Sequence, residues 1–140
     1  MASYNKFNQF VEDLGRKVHN LNADTLKILL SNTAPSAGNA VRGDITEISA
    51  GNGYSSGGSA IGSSAYSQSG GTGKLTGNDV VFTASGTLGP FRYAVLYNDT
   101  PASPADPLIG WWDRGSSVTL ASGDTFTVDL DQVNGILQLA

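Results

Sequence analysis

The chain has 140 residues and a mass of 14.5 kDa, which is the size of one ordinary domain. It contains no cysteine and one histidine, which excludes disulfide scaffolds, thiolate metal sites and poly-histidine metal centres. The net charge of -4 argues against a nucleic-acid partner, because phosphate binding needs clustered lysine and arginine. We therefore expect one domain over residues 1–140 that binds no cofactor and no metal.

Residues 1–21 have the spacing of an amphipathic helix. Ser3 is a candidate N-cap, and His19 would suit the negative pole of the helix dipole. The apolar face could dock on a partner, but the chain's own body is favoured because one helix covers one sheet face in a protein this small. The side chains that recur every three or four positions on this face are Phe7, Phe10, Val11, Leu14, Val18 and Leu21.

From residue 22 onward the apolar period changes to two, which is the period of a β-strand. In the run 108–113, apolar residues occur at both odd and even positions, as in a central strand that is covered on both faces. Asn134-Gly135 favours a hairpin turn that joins residues 126–131 to 136–139. The prediction for residues 22–140 is a mainly β domain, an antiparallel β-sandwich or open barrel, with the N-terminal α-helix packed on it. Alternation predicts its other strands at residues 25–30, 80–84, 91–97, 118–120 and 126–130.

Glycine and serine are concentrated between residues 50 and 73. The only large apolar side chains in this segment are Tyr54, Ile61 and Tyr66. A flexible linker would fit the composition, but compact domains rarely contain a structureless loop of this length. We therefore expect an ordered loop and an edge strand that lie over the body of the domain.

Motifs that would support catalysis are incomplete. Gly71-Thr-Gly-Lys74 is followed by Leu75, where a phosphate-binding loop needs the Ser or Thr that binds magnesium. Asp99, Asp106 and Asp113 could supply an acid/base pair for glycoside hydrolysis, although nothing in their spacing specifies one. We therefore predict no catalytic residue and no enzymatic activity.

Two adjacent tryptophans, Trp111 and Trp112, are candidates for a binding surface. An exposed tryptophan is a common stacking platform for saccharides and a common anchor of protein interfaces. Adjacent residues on a strand point to opposite faces, so at most one of the pair is exposed. Core packing is the favoured interpretation of each, and we take Trp111 as the candidate contact.

A further pattern extends over nearly the full length of the chain. The segments that form it are residues 5–14, 17–21, 24–35, 44–54, 89–99 and 107–113. Together they resemble a family of short proteins that are encoded among the structural genes of tailed bacteriophages. Similar small proteins of this gene neighbourhood serve as head decoration, or cement, proteins.

The resemblance implies a structural virion protein on the capsid surface, made in the host cytoplasm, that binds the major capsid shell from outside and stabilises it. It implies the major capsid protein and a homotrimer of this chain as partners, and neither a nucleic acid nor a membrane. The alternative is a tail or fibre component that binds a host-surface glycan through one tryptophan. The contact segments expected are the N-terminus and the loops 50–73 and 99–107, with Tyr54, Ile61, Tyr66, Asp99, Pro101, Pro104, Asp106 and Trp111 as candidate contacts.

Overall fold

Over residues 2–140, which are the residues that this computed structural model describes, the chain forms ten strands, one α-helix and one 3₁₀ turn. Strands account for 45% and helices for 8% of the structure, which confirms the predicted mainly β class with antiparallel sheets and a short helix near the N-terminus. The elements are β1 (Tyr4–Lys6), α1 (Asn8–Gly15), β2 (Leu26–Ser31), the 3₁₀ turn Arg42–Asp44, β3 (Ser59–Ala60), β4 (Ala65–Ser69), β5 (Thr72–Thr76), β6 (Val80–Thr83), β7 (Leu88–Asn98), β8 (Leu108–Leu120), β9 (Thr125–Val128) and β10 (Leu137–Leu139).

The strands form two layers. One layer is a five-stranded antiparallel sheet in the order β1-β8-β7-β2-β3. The other consists of a three-stranded sheet, β10-β5-β4, and the two-stranded sheet β6-β9. The main hydrophobic core lies between the layers, because buried side chains from both belong to one cluster, such as Ile28 and Leu96 with Leu75 and Phe82. Since β8 lies between β1 and β7, the prediction of a central strand at residues 108–113 is confirmed.

The outer face of the five-stranded sheet carries a second, smaller core. Alternation along β2 sends Ile28 and Leu30 to the main core and Leu29 to this one. The second cluster contains Phe7, Leu29, Val95, Tyr97 and Leu108, and each is fully buried. Loops cover this face, and they bring the candidate functional residues to it.

The prediction of a helix over residues 1–21 with Ser3 as its N-cap is wrong. The helix α1 is shorter because Tyr4–Lys6 pairs with β8 instead, and the residue that precedes the helix is Phe7. Beyond Gly15 the left-handed backbone of Lys17, with φ 67°, ends the helical path. In the described part of the chain no helix is long and apolar enough to cross a membrane.

The side chains of the predicted apolar stripe also diverge. Phe7 and Phe10 belong to different cores, because the chain passes from strand to helix between them. Val11 is 55% exposed, whereas Asp13 is buried. His19 lies beyond the helix and is buried against Phe10, so it does not act at the helix end as expected.

The predicted hairpin at Asn134-Gly135 is also wrong. Strand β9 pairs with β6, and β10 pairs with β5, so the chain passes from one small sheet to the other. The turn itself exists, because Gly135 has φ 83° and the Asp131 carboxylate accepts N–H bonds from Val133 and Asn134. The segment 50–73 is ordered as expected and contains β3 and β4, each at the edge of its sheet.

Candidate functional site

Three loops meet over the second core and form what we call the three-loop surface, made of residues 40–47, 54–57 and 99–107. Arg42 lies at its centre. Its guanidinium donates to Glu47 Oε1 at 2.8 Å and to Ser56 Oγ at 2.9 Å, and it lies 3.7 Å from the Asp106 carboxylate. The backbone N–H of Arg42 also donates to the Asp106 carbonyl at 2.9 Å. One arginine therefore connects all three loops.

Glu47 is the acceptor that completes this arrangement. Besides the bond from Arg42, its carboxylate accepts the Tyr54 hydroxyl at 2.6 Å and the backbone N–H of Gly57. The Tyr54 hydroxyl in turn accepts the N–H of Leu30 at 3.1 Å. The loops are thereby attached to β2, a strand that is buried along most of its length.

Tyr97 attaches the same loops to β7, the strand on which it lies. Its hydroxyl donates to the Gly57 carbonyl at 2.6 Å, and the Arg42 guanidinium lies 5.7 Å from the centre of its ring. Burial raises the pKa of the Tyr97 hydroxyl to about 12. The hydroxyl therefore stays a neutral donor at physiological pH.

Two carboxylates and a lysine extend the network to the predicted proline-rich loop. Lys27 Nζ lies 3.1 Å from Asp99 Oδ2. Burial, and then the neighbouring Asp99 carboxylate, raise the pKa of the Asp106 carboxyl above its ordinary value. The hydrogen bond to Glu47 raises the pKa of Arg42 above its ordinary value. Arg42 therefore stays positively charged beside the acidic loop 99–107.

Asp106 and Asp113, the aspartates of the hydrolase alternative, share no partner. Asp113 accepts two hydrogen bonds from Arg92, at 2.7 and 3.0 Å, whereas Asp106 contacts Arg42. The bond from Arg92 holds the pKa of Asp113 below its usual value, which suits an ion-pair partner rather than a general acid. Among residues 2–140 no group of three or more His, Asp or Glu side chains is placed to hold a metal ion.

The candidate contact residues separate into two groups. Tyr54 and Ile61 are 3% and 6% exposed, so both lie in the main core and neither offers its side chain to a partner. The prediction that these two side chains contact a partner is therefore wrong. They attach the segment 50–73 to the main core instead. Tyr66 is half-buried on β4, where its ring covers Gly73. The other candidates in the loop 99–107 are exposed or half-buried, namely Asp99, Pro101, Pro104 and Asp106.

The tryptophans divide between the two faces of the sheet, as strand parity predicts. Trp111 packs on Phe7 of the second core, with ring centres 4.6 Å apart. Trp112 packs against the main core and also lines a groove. Both tryptophans are half-buried, so Trp111 stays a candidate contact and Trp112 is added as the one beside a groove. The groove has a volume of about 520 Å³, and its side-chain lining includes Ala94, Trp112, Phe126 and Val128, with Arg92, Arg114, Ser116, Thr127 and Asp129.

A buried polar cluster lies under the segment that follows α1. His19 Nδ1 is 3.0 Å from the amide nitrogen of Asn98, which also donates to Asp24 at 2.7 Å. Because the Asn98 amide is a donor, Nδ1 is an acceptor and the imidazole is neutral. Burial lowers the pKa of His19, although the charges of Asp13 and Asp24 oppose the change.

This burial predicts a pH dependence of stability between pH 7.5 and 5.5. The unfolded chain binds a proton at His19 near pH 6.5, above the lowered pKa of the folded state. Stability is therefore greatest above that pH and falls as the pH falls through it. We expect a lower urea midpoint at pH 5.5 than at pH 7.5. The difference between the two midpoints should be smaller in His19→Gln, because this substitution removes the only histidine. An equal difference in both proteins would show that other groups cause it.

The candidate surfaces of this chain are therefore the three-loop surface and the groove beside Trp112. Each lies on a different face of the five-stranded sheet, because Trp112 belongs to the main core and Tyr97 to the second. No protein-family model, curated protein sequence or solved structure matches this chain.

Proposed function

We propose that this chain is a structural virion protein of a tailed bacteriophage, which binds the outer surface of the major capsid shell as a head decoration protein. The observation that supports the proposal most is the three-loop surface. It contains the loop 99–107 and part of the segment 50–73, two regions that the sequence indicated as contacts. Arg42 and Glu47 hold them in one arrangement before any partner binds.

Such preorganisation favours a repeated protein interface. Association costs free energy for every loop and side chain that becomes ordered, and loops that are already fixed avoid much of this cost. A shell protein relies on many copies of a modest interface, so a lower ordering cost per copy is valuable. The half-buried ion pairs hold the loops in one geometry, so the contact residues are presented in a fixed arrangement.

The partners proposed are the major capsid protein and further copies of this chain in a homotrimer. The exposed rim of the three-loop surface supplies the capsid contacts, with Pro101 and Pro104 next to Asp99 and Asp106. Tyr66 on the edge strand β4 lies in the other layer and is the candidate for contact between copies. This assignment uses a separate surface for each partner.

The alternative role, a tail or fibre component that binds a host-surface glycan, depends on the groove beside Trp112. The two roles predict different stoichiometries. A decoration protein is present in purified particles at a copy number comparable with that of the major capsid protein, because it binds at repeated junctions of the shell. Quantitative mass spectrometry of such particles measures that ratio. A ratio of only a few copies per particle would contradict the decoration role and favour the tail.

A further inference from the structure

We propose that the groove beside Trp112 binds an acidic saccharide, whose carboxylate contacts Arg114. The groove opens between β8 and β9, and it lies on the opposite face of the sheet from the three-loop surface. The inference specifies the ligand of the surface on which the alternative role depends, and it does not require the capsid contact proposed above.

The aromatic side chains of the groove are packed against neighbouring rings. Trp112 packs edge-on against Tyr4, with ring centres 5.6 Å apart. Phe126 packs in the same manner on Phe91, at 4.9 Å. Ala94 on β7 is the cross-strand partner of Trp112 and also lines the groove, where its small side chain leaves space. Rings fixed in this way can stack on the C–H face of a sugar with little loss of side-chain entropy.

One cationic side chain in the groove, Arg114, is available to an anionic ligand. Arg92 is occupied by its two hydrogen bonds to Asp113. Among residues 2–140 no carboxylate lies within 4.0 Å of the Arg114 guanidinium, which donates only from Nη1, to the carbonyl and hydroxyl of Ser116. A guanidinium has five N–H donors and pairs well with a carboxylate. Asp129 is the acidic side chain in the lining, and it can accept a sugar hydroxyl.

A saccharide fits this groove better than an extended peptide does. A peptide would bind by adding a strand to the edge of β8, and within residues 2–140 no strand pairs with that edge beyond Trp112. However, the pairs Tyr93–Asp113 and Phe91–Val118 leave residues 114–117 outside the β7–β8 ladder, and Gly115 has φ 100°. Such a bulge prevents regular strand addition. The hydroxyls of Ser116 and Thr127, placed around aromatic walls, instead suit a ring of sugar hydroxyls.

Tetragalacturonate is a suitable probe, and its fully methyl-esterified form is the neutral control. We expect saturable shifts of the backbone amide signals of residues 112–116 and 126–129 in a ¹⁵N–¹H NMR titration with the acid, and much weaker binding of the ester. Arg114→Gln should weaken binding of the acid about tenfold or more, because a charge-assisted hydrogen bond is lost. Arg16→Gln should not change it, since that side chain follows α1, is 73% exposed and does not line the groove.

Three results would overturn the proposal. One is the absence of saturable shifts at millimolar probe. Another is equal binding of the acid and the ester, or of the native protein and Arg114→Gln. The third is a larger effect of an acidic, aromatic peptide on the same amides, which would assign the groove to a protein partner. None of them changes the copy number measured in particles, so a failure here is distinct from a failure of the decoration role.

Discussion

Replacing Glu47 with alanine should lower the free energy of unfolding by about 2–3 kcal/mol, because three donors lose their acceptor at once. The donors are the Arg42 guanidinium, the Tyr54 hydroxyl and the Gly57 N–H. The Glu47 side chain is only 15% exposed, so water replaces these bonds poorly. The Arg42 side chain is 27% exposed, which keeps the expected loss below that of a fully buried pair.

Urea unfolding measures this loss, and Glu12→Ala is the matched control. Glu12 also pairs with an arginine, Arg16, at 3.6 Å, but its side chain is 54% exposed on α1. Removal of that exposed pair should change stability by less than about 0.5 kcal/mol. Hydrogen exchange gives a local measurement, in which the Gly57 amide should exchange faster in Glu47→Ala alone. Similar losses for both variants would mean that the three-loop surface is not held by Glu47.

The substitution Gly58→Ala should be more harmful still, with a loss of more than about 3 kcal/mol. Gly58 has φ 74°, and a Cβ added there would overlap the carbonyl oxygen of Ile28 and lie 2.8 Å from the Cα of Leu29. Both atoms belong to the backbone of β2, which is hydrogen-bonded to β3 on one side and β7 on the other. A shift of this backbone would break those hydrogen bonds. The segment from Gly57 to β3 would therefore separate from the sheet.

Gly71→Ala separates this steric effect from backbone strain. Gly71 has φ 88°, but within residues 2–140 no atom lies within 4 Å of a Cβ added there. Its substitution should cost about 1–2 kcal/mol, the penalty for a left-handed non-glycine residue. Thermal or urea unfolding of the two variants compares them directly. Equal losses would indicate that β2 and the segment before β3 are not in close contact.

The alternation of apolar and polar residues predicted much of this fold, because a strand that is buried on one face must have such alternation. The alternation in residues 80–84 and 91–97 corresponds to β6 and β7, and the doubly apolar run at 108–113 lies at the centre of the sheet. The N-terminal helix was overestimated for a tertiary reason. The spacing of Phe7 and Phe10 fits a helix, but the free edge of β8 takes residues 4–6 as a strand and separates the two side chains.

The candidate surface was predicted in part. Asp99 and Asp106 were found because they flank a proline-rich loop, but Arg42 and Glu47, which join that loop to its neighbours, were missed. Arg42 lies in a 3₁₀ turn and Glu47 in irregular chain, where no periodicity marks a half-buried ion pair; their opposite charges five positions apart were the only signal. Parity placed the tryptophans on opposite faces. Only the fold shows that Trp112 is the one that lines a groove, because loops and Phe7 cover the second core on the side of Trp111.

An electron cryomicroscopy map of the intact particle tests the proposed capsid-binding role most directly. It should show this chain on the outer shell at junctions between major capsid subunits, with the three-loop surface against them and the groove beside Trp112 open to solvent. Density for the chain at the tail alone would contradict the decoration role. Copies on the shell with residues 40–47 and 99–107 facing solvent would contradict the assignment of the contact surface.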